Sequence, residues 1–255
     1  MPLFHIILIL ITGIAAGFLN TVGGGGSLLT MPMLIFLGLG SAMANGTNRV
    51  AVMVQNIVAT INFRRKGFFD YKLSLMLGIP AVLGSIVGAR FAISLPDEIF
   101  NKILAAIMLM VLAVILFQPH KRFVSVQENL SSKRKAAAVI AFFFVGIYGG
   151  FIQAGVGFII IATLSVLTGL SLVKINSLKV FIVAIYTLSS LLVFLISGNV
   201  NLILGLILAV GNGIGAWLGS NFAVAKGDKW IRVILAISVI AMAAKLMGAF
   251  SMLGL

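Results

Sequence analysis

The residues of this chain best suited to chemistry are a run of glycines, two cations and two amides. Gly23, Gly24, Gly25, Gly26 and Ser27 stand inside "LNTVGGGGSLLTMPM" (Leu19–Met33), between strongly apolar stretches. A glycine run frees backbone N–H groups and admits a ligand close to the main chain. With Ser27 as the N-cap of "SLLTMPM", those N–H groups and the positive end of the following helix favour an anion. Gly155 and Gly157 in "QAGVGF" repeat the arrangement with fewer glycines. Asn20 and Thr21 flank the first site and Gln153 the second. The cations come in two motifs, "NGTNRV" (Asn45–Val50) and "INSLKV" (Ile175–Val180). Each sets a hydroxyl two residues before a positive charge at the start of an apolar span: Thr47 with Arg49, Asn48 between them, and Ser177 with Lys179. Charges inside a membrane segment are costly and mark function by default.

Each feature also has a plainer reading. Glycines ease close helix packing, the only role expected of Gly84, Gly88, Gly215 and Gly219. A cation one turn inside a span can snorkel to the interface. Single polar residues such as Gln55, Asn56, Tyr186 and Asn212 serve as helix–helix hydrogen bonds.

Other chemistry is excluded. There is no cysteine, so disulfides and thiolate chemistry are absent. His5 and His120 lie far apart, and no acids or histidines have metal-ligand spacing. Asp70, Asp97, Glu98, Glu128 and Asp228 all fall in loops or at helix ends, which argues against a carboxylate proton relay and against a cation as main substrate. The net charge of +13 reads as positive charge kept on the cytoplasmic side near anionic lipid, not as a nucleic-acid surface. No cofactor is expected.

The elements that must position these residues are membrane helices. The chain has 255 residues, 61% hydrophobic and 9% charged, with a mean hydropathy of +1.22; a soluble domain is about a quarter charged. Apolar runs such as Ile103–Phe117, Val180–Ile196 and Val233–Ala244, with their flanks, approach the roughly 20 residues that cross a bilayer. The first twenty residues lack a basic n-region and carry part of a repeat, so they read as mature protein.

The repeat is seen in ordered matches: "GIAAGF" (Gly13–Phe18) with "GIYGGF" (Gly146–Phe151), the two cation motifs, and Gly84 and Gly88 with Gly215 and Gly219. The domains are a first transmembrane repeat at 1–117, a basic cytoplasmic linker at 118–135 and a second transmembrane repeat at 136–255. Leu3–Leu37 and Ala136–Thr168 are long for one span and short for two, as expected of a segment that enters, breaks at glycines and returns. About three full crossings per repeat then remain, an odd number that inverts the second copy. This arrangement leaves only Arg49, Arg90, Lys102 and Lys245 outside, whereas four crossings per repeat split the basic residues almost evenly. The fold class is therefore an all-α polytopic membrane protein of two inverted repeats, each a broken re-entrant helical segment plus about three transmembrane helices. Paired broken segments mark a transporter's central site.

"GFLNTVGGGGSLLTMPMLIFLGL" (Gly17–Leu39) and "AMANGTNRVAV" (Ala42–Val52) resemble the sulfite exporter TauE/SafE family, whose pattern is a glycine cluster, a proline-containing apolar stretch and a Gly-Thr pair. Gly23–Gly26, Pro32 and Gly46-Thr47 match it. A weaker second copy, lacking the proline and the Gly-Thr pair, extends the resemblance over the whole chain. The resemblance implies a transporter, by expectation an exporter, of sulfite, organosulfonates or related small anions in the inner membrane. Asn20, Thr21, Gly23–Gly26, Ser27, Thr47, Asn48, Arg49, Gln153, Gly155, Gly157, Ser177 and Lys179 are the expected substrate-binding residues, with one repeat rocking against the other. Arg49→Ala is expected to weaken binding without unfolding the protein. The expected partners are a small anionic substrate and membrane lipid, with a homodimer as an allowed assembly and no nucleic acid. An anion channel of the same fold, an intramembrane enzyme and a structural subunit are the rival readings.

Overall fold

The computed structural model describes residues 3–106 and 132–246. Within them the chain is helical, with no strand: α1 (Leu3–Val22), α2 (Ser27–Phe36), α3 (Ser41–Arg65), α4 (Tyr71–Ser94), α5 (residues 97–106), α6 (Ser132–Phe151), α7 (Val156–Thr168), α8 (Leu172–Ile196) and α9 (Leu202–Leu246). Gly227, at φ 69, interrupts α9. Most of the linker (118–131), His120, Glu128 and most of the apolar run Ile103–Phe117 lie outside the described residues.

Helix starts follow from side chains that accept from the first free N–H groups. The Leu73 N–H donates to Asp70 Oδ1, the α4 cap, and the Leu204 N–H to Asn201 Oδ1, ahead of α9. Two further acids cap helix starts that are distant in sequence. Asp97 accepts from the Ser41 N–H and Asp228 from the Val173 N–H. The expectation that these acids sit at helix ends therefore holds, and each is used by a backbone donor.

Among the described residues five helices are long and apolar enough to cross a membrane: α1, α4, α6 from Arg134, α8 and α9 up to Ile234. Their outward stripes, such as Ile79, Leu83 and Phe91 on α4 or Leu206, Val210 and Ile214 on α9, suit acyl chains rather than water. α3 matches α8 in length at 25 residues but carries Asn45, Asn48, Arg49, Gln55 and Asn56 at helical spacing, all buried. Its polar stripe faces the protein and not lipid, as bilayer interiors require.

Glycines set the closest packing. A Cβ at Gly84 or Gly88 would run into the backbone oxygens of Phe143 and Ile147; one at Gly146 or Gly150 would strike Ala81 and Ser85. Gly13, Gly17, Gly211 and Gly215 do the same between α1 and α9. The contacts advance together along both chains, so α4 runs in the direction of α6 and α1 in that of α9. Each pair joins the first part of the sequence to the second.

Both broken segments return to the end they left. His5 on α1 and Leu37 after α2 line one groove with Asn201. Ala138 on α6 and Leu164 and Leu167 of α7 share a cluster with Leu73 and Leu77 near the start of α4. That second end also gathers Phe63, Phe68, Val173 and Ile231, and with them the basic runs Arg64–Lys66 and Lys226–Arg232.

Candidate functional site

The two breaks are equal in length, residues 23–26 and 152–155. In the first, the N–H groups of Gly23 and Gly24 both donate to Leu19 O, at 2.7 and 2.8 Å, and Gly24 turns the chain at φ 101. The Gly26 N–H donates to Asn20 Oδ1 at 2.7 Å. Helix α2 then begins with Ser27 as its first residue and Gly26 as its N-cap, without a side-chain cap bond from its own chain position. The expectation of Ser27 as N-cap is corrected: Asn20, from the preceding helix, supplies the acceptor. In the second break Gln153 takes the left-handed conformation at φ 65, the one non-glycine to do so among the described residues. Such a backbone costs about 1 kcal/mol or more, and side chains hold it in place: Tyr186 Oη donates to Gln153 Oε1 at 3.1 Å, and Tyr148 Oη to Ala154 O at 2.5 Å.

The breaks meet. Gly24 and Gly157 approach so closely that neither has room for a Cβ. At these tips the N–H groups of Gly25 and Ser27, and of Gln153, Gly155 and Gly157, donate to no acceptor among the described residues. Free donors at two adjoining helix starts are a setting for negative charge.

The cations close the C-terminal ends of α6 and α1, where these helices enter the breaks. Arg49 is fully buried. Its guanidinium donates to the backbone oxygens of Gly149 (3.1 Å) and Gly150 (2.5 Å), to Ser190 Oγ (2.8 Å) and to Asn45 Oδ1 (3.3 Å), and lies 4.7 Å from the Phe194 ring centroid. Lys179, 2% exposed, donates to the oxygens of Asn20 (2.9 Å) and Thr21 (3.0 Å) and to Asn176 Oδ1 (2.6 Å). Arg49 of α3 thus meets the last carbonyls of α6, and Lys179 of α8 the last carbonyls of α1, where the helix dipole is negative. Neither cation reaches the interface by snorkelling. Among the described residues neither forms an ion pair with a carboxylate; the ion pair seen is Lys102 with Glu98 at the surface. Two positive charges are therefore buried against neutral groups: carbonyl oxygens for both, with the Ser190 hydroxyl and the Phe194 ring added at Arg49.

A network of neutral side chains surrounds the first break. Gln55 Oε1 accepts from Asn20 Nδ2 (3.2 Å) and Asn212 Nδ2 (3.0 Å). Ser27 Oγ accepts from Asn20 Nδ2 (3.5 Å) and Asn48 Nδ2 (3.4 Å), and Thr30 Oγ1 donates to Asn48 Oδ1 (2.7 Å).

The family model for the sulfite exporter TauE/SafE matches residues 9–246. The chain belongs to this family. It is 31% identical to the "Probable membrane transporter protein YfcA" of Escherichia coli K12 over 91% of this chain and 86% of that one. It is 30% identical to a "Probable membrane transporter protein" of Haemophilus influenzae, covering 92% and 91%. It is 26% identical to the "Probable membrane transporter protein ORF9" of a Sinorhizobium species, covering 96% and 93%. No solved structure matches. With five apolar helices of spanning length, the protein is a multi-pass membrane transporter.

Within this TauE/SafE chain the residues singled out by sequence divide into groups. Asn20, Thr21, Gly23–Gly26, Ser27 and Asn48 gather at the first break, and Gln153, Gly155 and Gly157 at the second. Thr47 stands apart, accepting from the Asn201 N–H at 2.9 Å and so fixing the start of α9. Ser177 Oγ and Thr21 Oγ1 are buried without a partner among the described residues. Asn20 and Gln153 are not equivalent as expected: α1 extends one turn beyond "GIAAGF", whereas α6 ends with "GIYGGF". Asn20 is thus helical, Gln153 occupies the place of Gly24, and Gly157 already belongs to α7. Sequence reasoning missed Asn45 and Asn176, whose amides donate to the last carbonyls of the same broken helices, Phe151 O (2.6 Å) and Val22 O (2.9 Å). Their signal was an asparagine one turn before each cation.

Proposed function

We propose that this transporter carries small sulfur-containing anions, such as sulfite or organosulfonates, outward across the inner membrane by alternating access around the meeting point of the two breaks. The observation that carries the reading is the pair of buried cations without acidic partners among the described residues. A buried charge is retained only when something compensates it, and helix-end carbonyls supply partial charge only. A site between free N–H donors, with two cations behind it and no acid, favours a mobile anion over a cation.

The travel of the helices supports two inverted repeats. α1 starts at the Leu37 end and α6 at the opposite end, and each runs beside the fourth helix of the other half. The bodies that rock are accordingly α1 and α3 held by α9 against α6 and α8 held by α4, with α3 and α8 in contact between them, and so each body draws helices from both sequence repeats. Arg49 and Lys179 bridge the two bodies from opposite ends. Opening toward either side releases one of these bridges and leaves the other closed.

The reading is tested with purified protein in liposomes, using labelled sulfite, sulfoacetate and thiosulfate with and without a pH gradient. Saturable flux of one of them is expected. Absence of flux for all three removes the proposed substrate class.

A further inference from the structure

We propose that Gln55 is an oxyanion-binding residue of the central site, presenting its side-chain NH2 to the ligand beside the first turn of α2. The proposal rests on the anion-transport reading and adds a specific donor to it. The orientation of the amide follows from a chain of donors that begins at the backbone. The Gly26 N–H can only donate, so the Asn20 atom 2.7 Å away is its oxygen. The nitrogen of Asn20 therefore faces Gln55, and the Gln55 atom receiving it at 3.2 Å is an oxygen. Asn212 Nδ2 donates to that same oxygen at 3.0 Å. An amide oxygen has two lone pairs, so Gln55 Oε1 is fully used and cannot turn toward a ligand.

Gln55 Nε2 is left with both hydrogens and no partner among the described residues, although the residue is only 2% exposed. Ser27 is in the same condition: Asn20 and Asn48 occupy its acceptor side, so its hydroxyl hydrogen is free to donate. Next to them lie the unbonded N–H groups of Gly25 and Ser27. The acceptor of this group without a donor, Asn212 Oδ1, is fully enclosed and lines no open space. Gln55 Nε2, the Ser27 hydroxyl and the N–H groups of Gly25 and Ser27 thus form a set of neutral donors around the first turn of α2. Such a set accepts the several oxygens of a sulfite or sulfonate group and offers nothing to a metal cation.

Gln55→Glu tests the assignment with little change of shape. One carboxylate oxygen still accepts from Asn20 and Asn212, and the other replaces the NH2 donor with a negative acceptor. Titration of the purified full-length protein with sulfoacetate and with sulfite is expected to show at least about a tenfold loss of affinity in the variant, with the unfolding temperature close to wild type. Equal affinity in the two proteins overturns the role of Gln55 while leaving anion transport intact. No binding by the wild type overturns both. Where Gln55→Glu does not yield folded protein, the side-chain amide 15N resonance of Gln55 in the wild type gives the answer: it moves on adding sulfoacetate if the amide donates to it, and an unmoved resonance overturns the proposal.

Discussion

Lys179 Nζ lies 2.9 Å from the backbone oxygen of Asn20, so a side chain of α8 closes the C-terminus of α1, in the other half of the sequence. Asn20 in turn accepts from the Gly26 N–H through its side chain. A single residue thereby connects a buried cation at the C-terminus of α1 with the far side of the adjoining glycine turn. Arg49 repeats the relationship against α6.

Lys179→Met removes the donor shared by Asn20 O, Thr21 O and Asn176 Oδ1. Buried acceptors without donors cost about 1–3 kcal/mol each, less what is recovered by no longer burying a charge. Thermal unfolding in detergent is expected several degrees below wild type. An unchanged midpoint contradicts the capping role.

Arg49→Lys keeps the charge but not the fork that spans Gly149, Gly150, Ser190 and Asn45. Loss of about 1–2 kcal/mol of stability is expected, with a larger loss for Arg49→Ala. The four bonds thus change the expectation drawn from sequence, in which Arg49→Ala left folding untouched. Unfolding of the three proteins at one temperature contradicts this.

How much of this was legible follows from the kind of signal each residue carries. The broken segments, the polar stripe of α3 and the helix-packing glycines could be read, because glycine runs and charges in an apolar background have few meanings. The destinations of Arg49 and Lys179 could not, since their partners are backbone oxygens of the other half and carbonyls have no sequence signature. The different end points of α1 and α6 relative to the repeated motif were hidden for a related reason. "LNTV" after "GIAAGF" continues the helix by one turn, and no residue type there announces it.

Gly24→Ala meets two obstacles, a φ of 101 and the Gly157 backbone, whereas Gly67→Ala meets only a φ of 78 with open space around it. The second is expected to cost about 1 kcal/mol, the first far more, with little folded protein recovered. Similar yields and unfolding temperatures for both contradict the contact of the two breaks.

The proposed inverted arrangement predicts which loops share a side. The chain has no cysteine, so single cysteines can be placed without background. Lys72→Cys and Lys229→Cys are expected to react with an impermeant maleimide from the cytoplasmic face, and Glu98→Cys and Asn199→Cys from the opposite face. Labelling of Lys72→Cys and Lys229→Cys from opposite faces contradicts the topology.

The most direct measurement is counterflow. Liposomes holding the purified protein are loaded with unlabelled sulfoacetate or sulfite and diluted into a trace of the labelled anion. A site that faces one side at a time predicts transient accumulation of label above its equilibrium level, dependent on the loaded anion. Label that only equilibrates, at a rate indifferent to the loading, contradicts alternating access around an anion site.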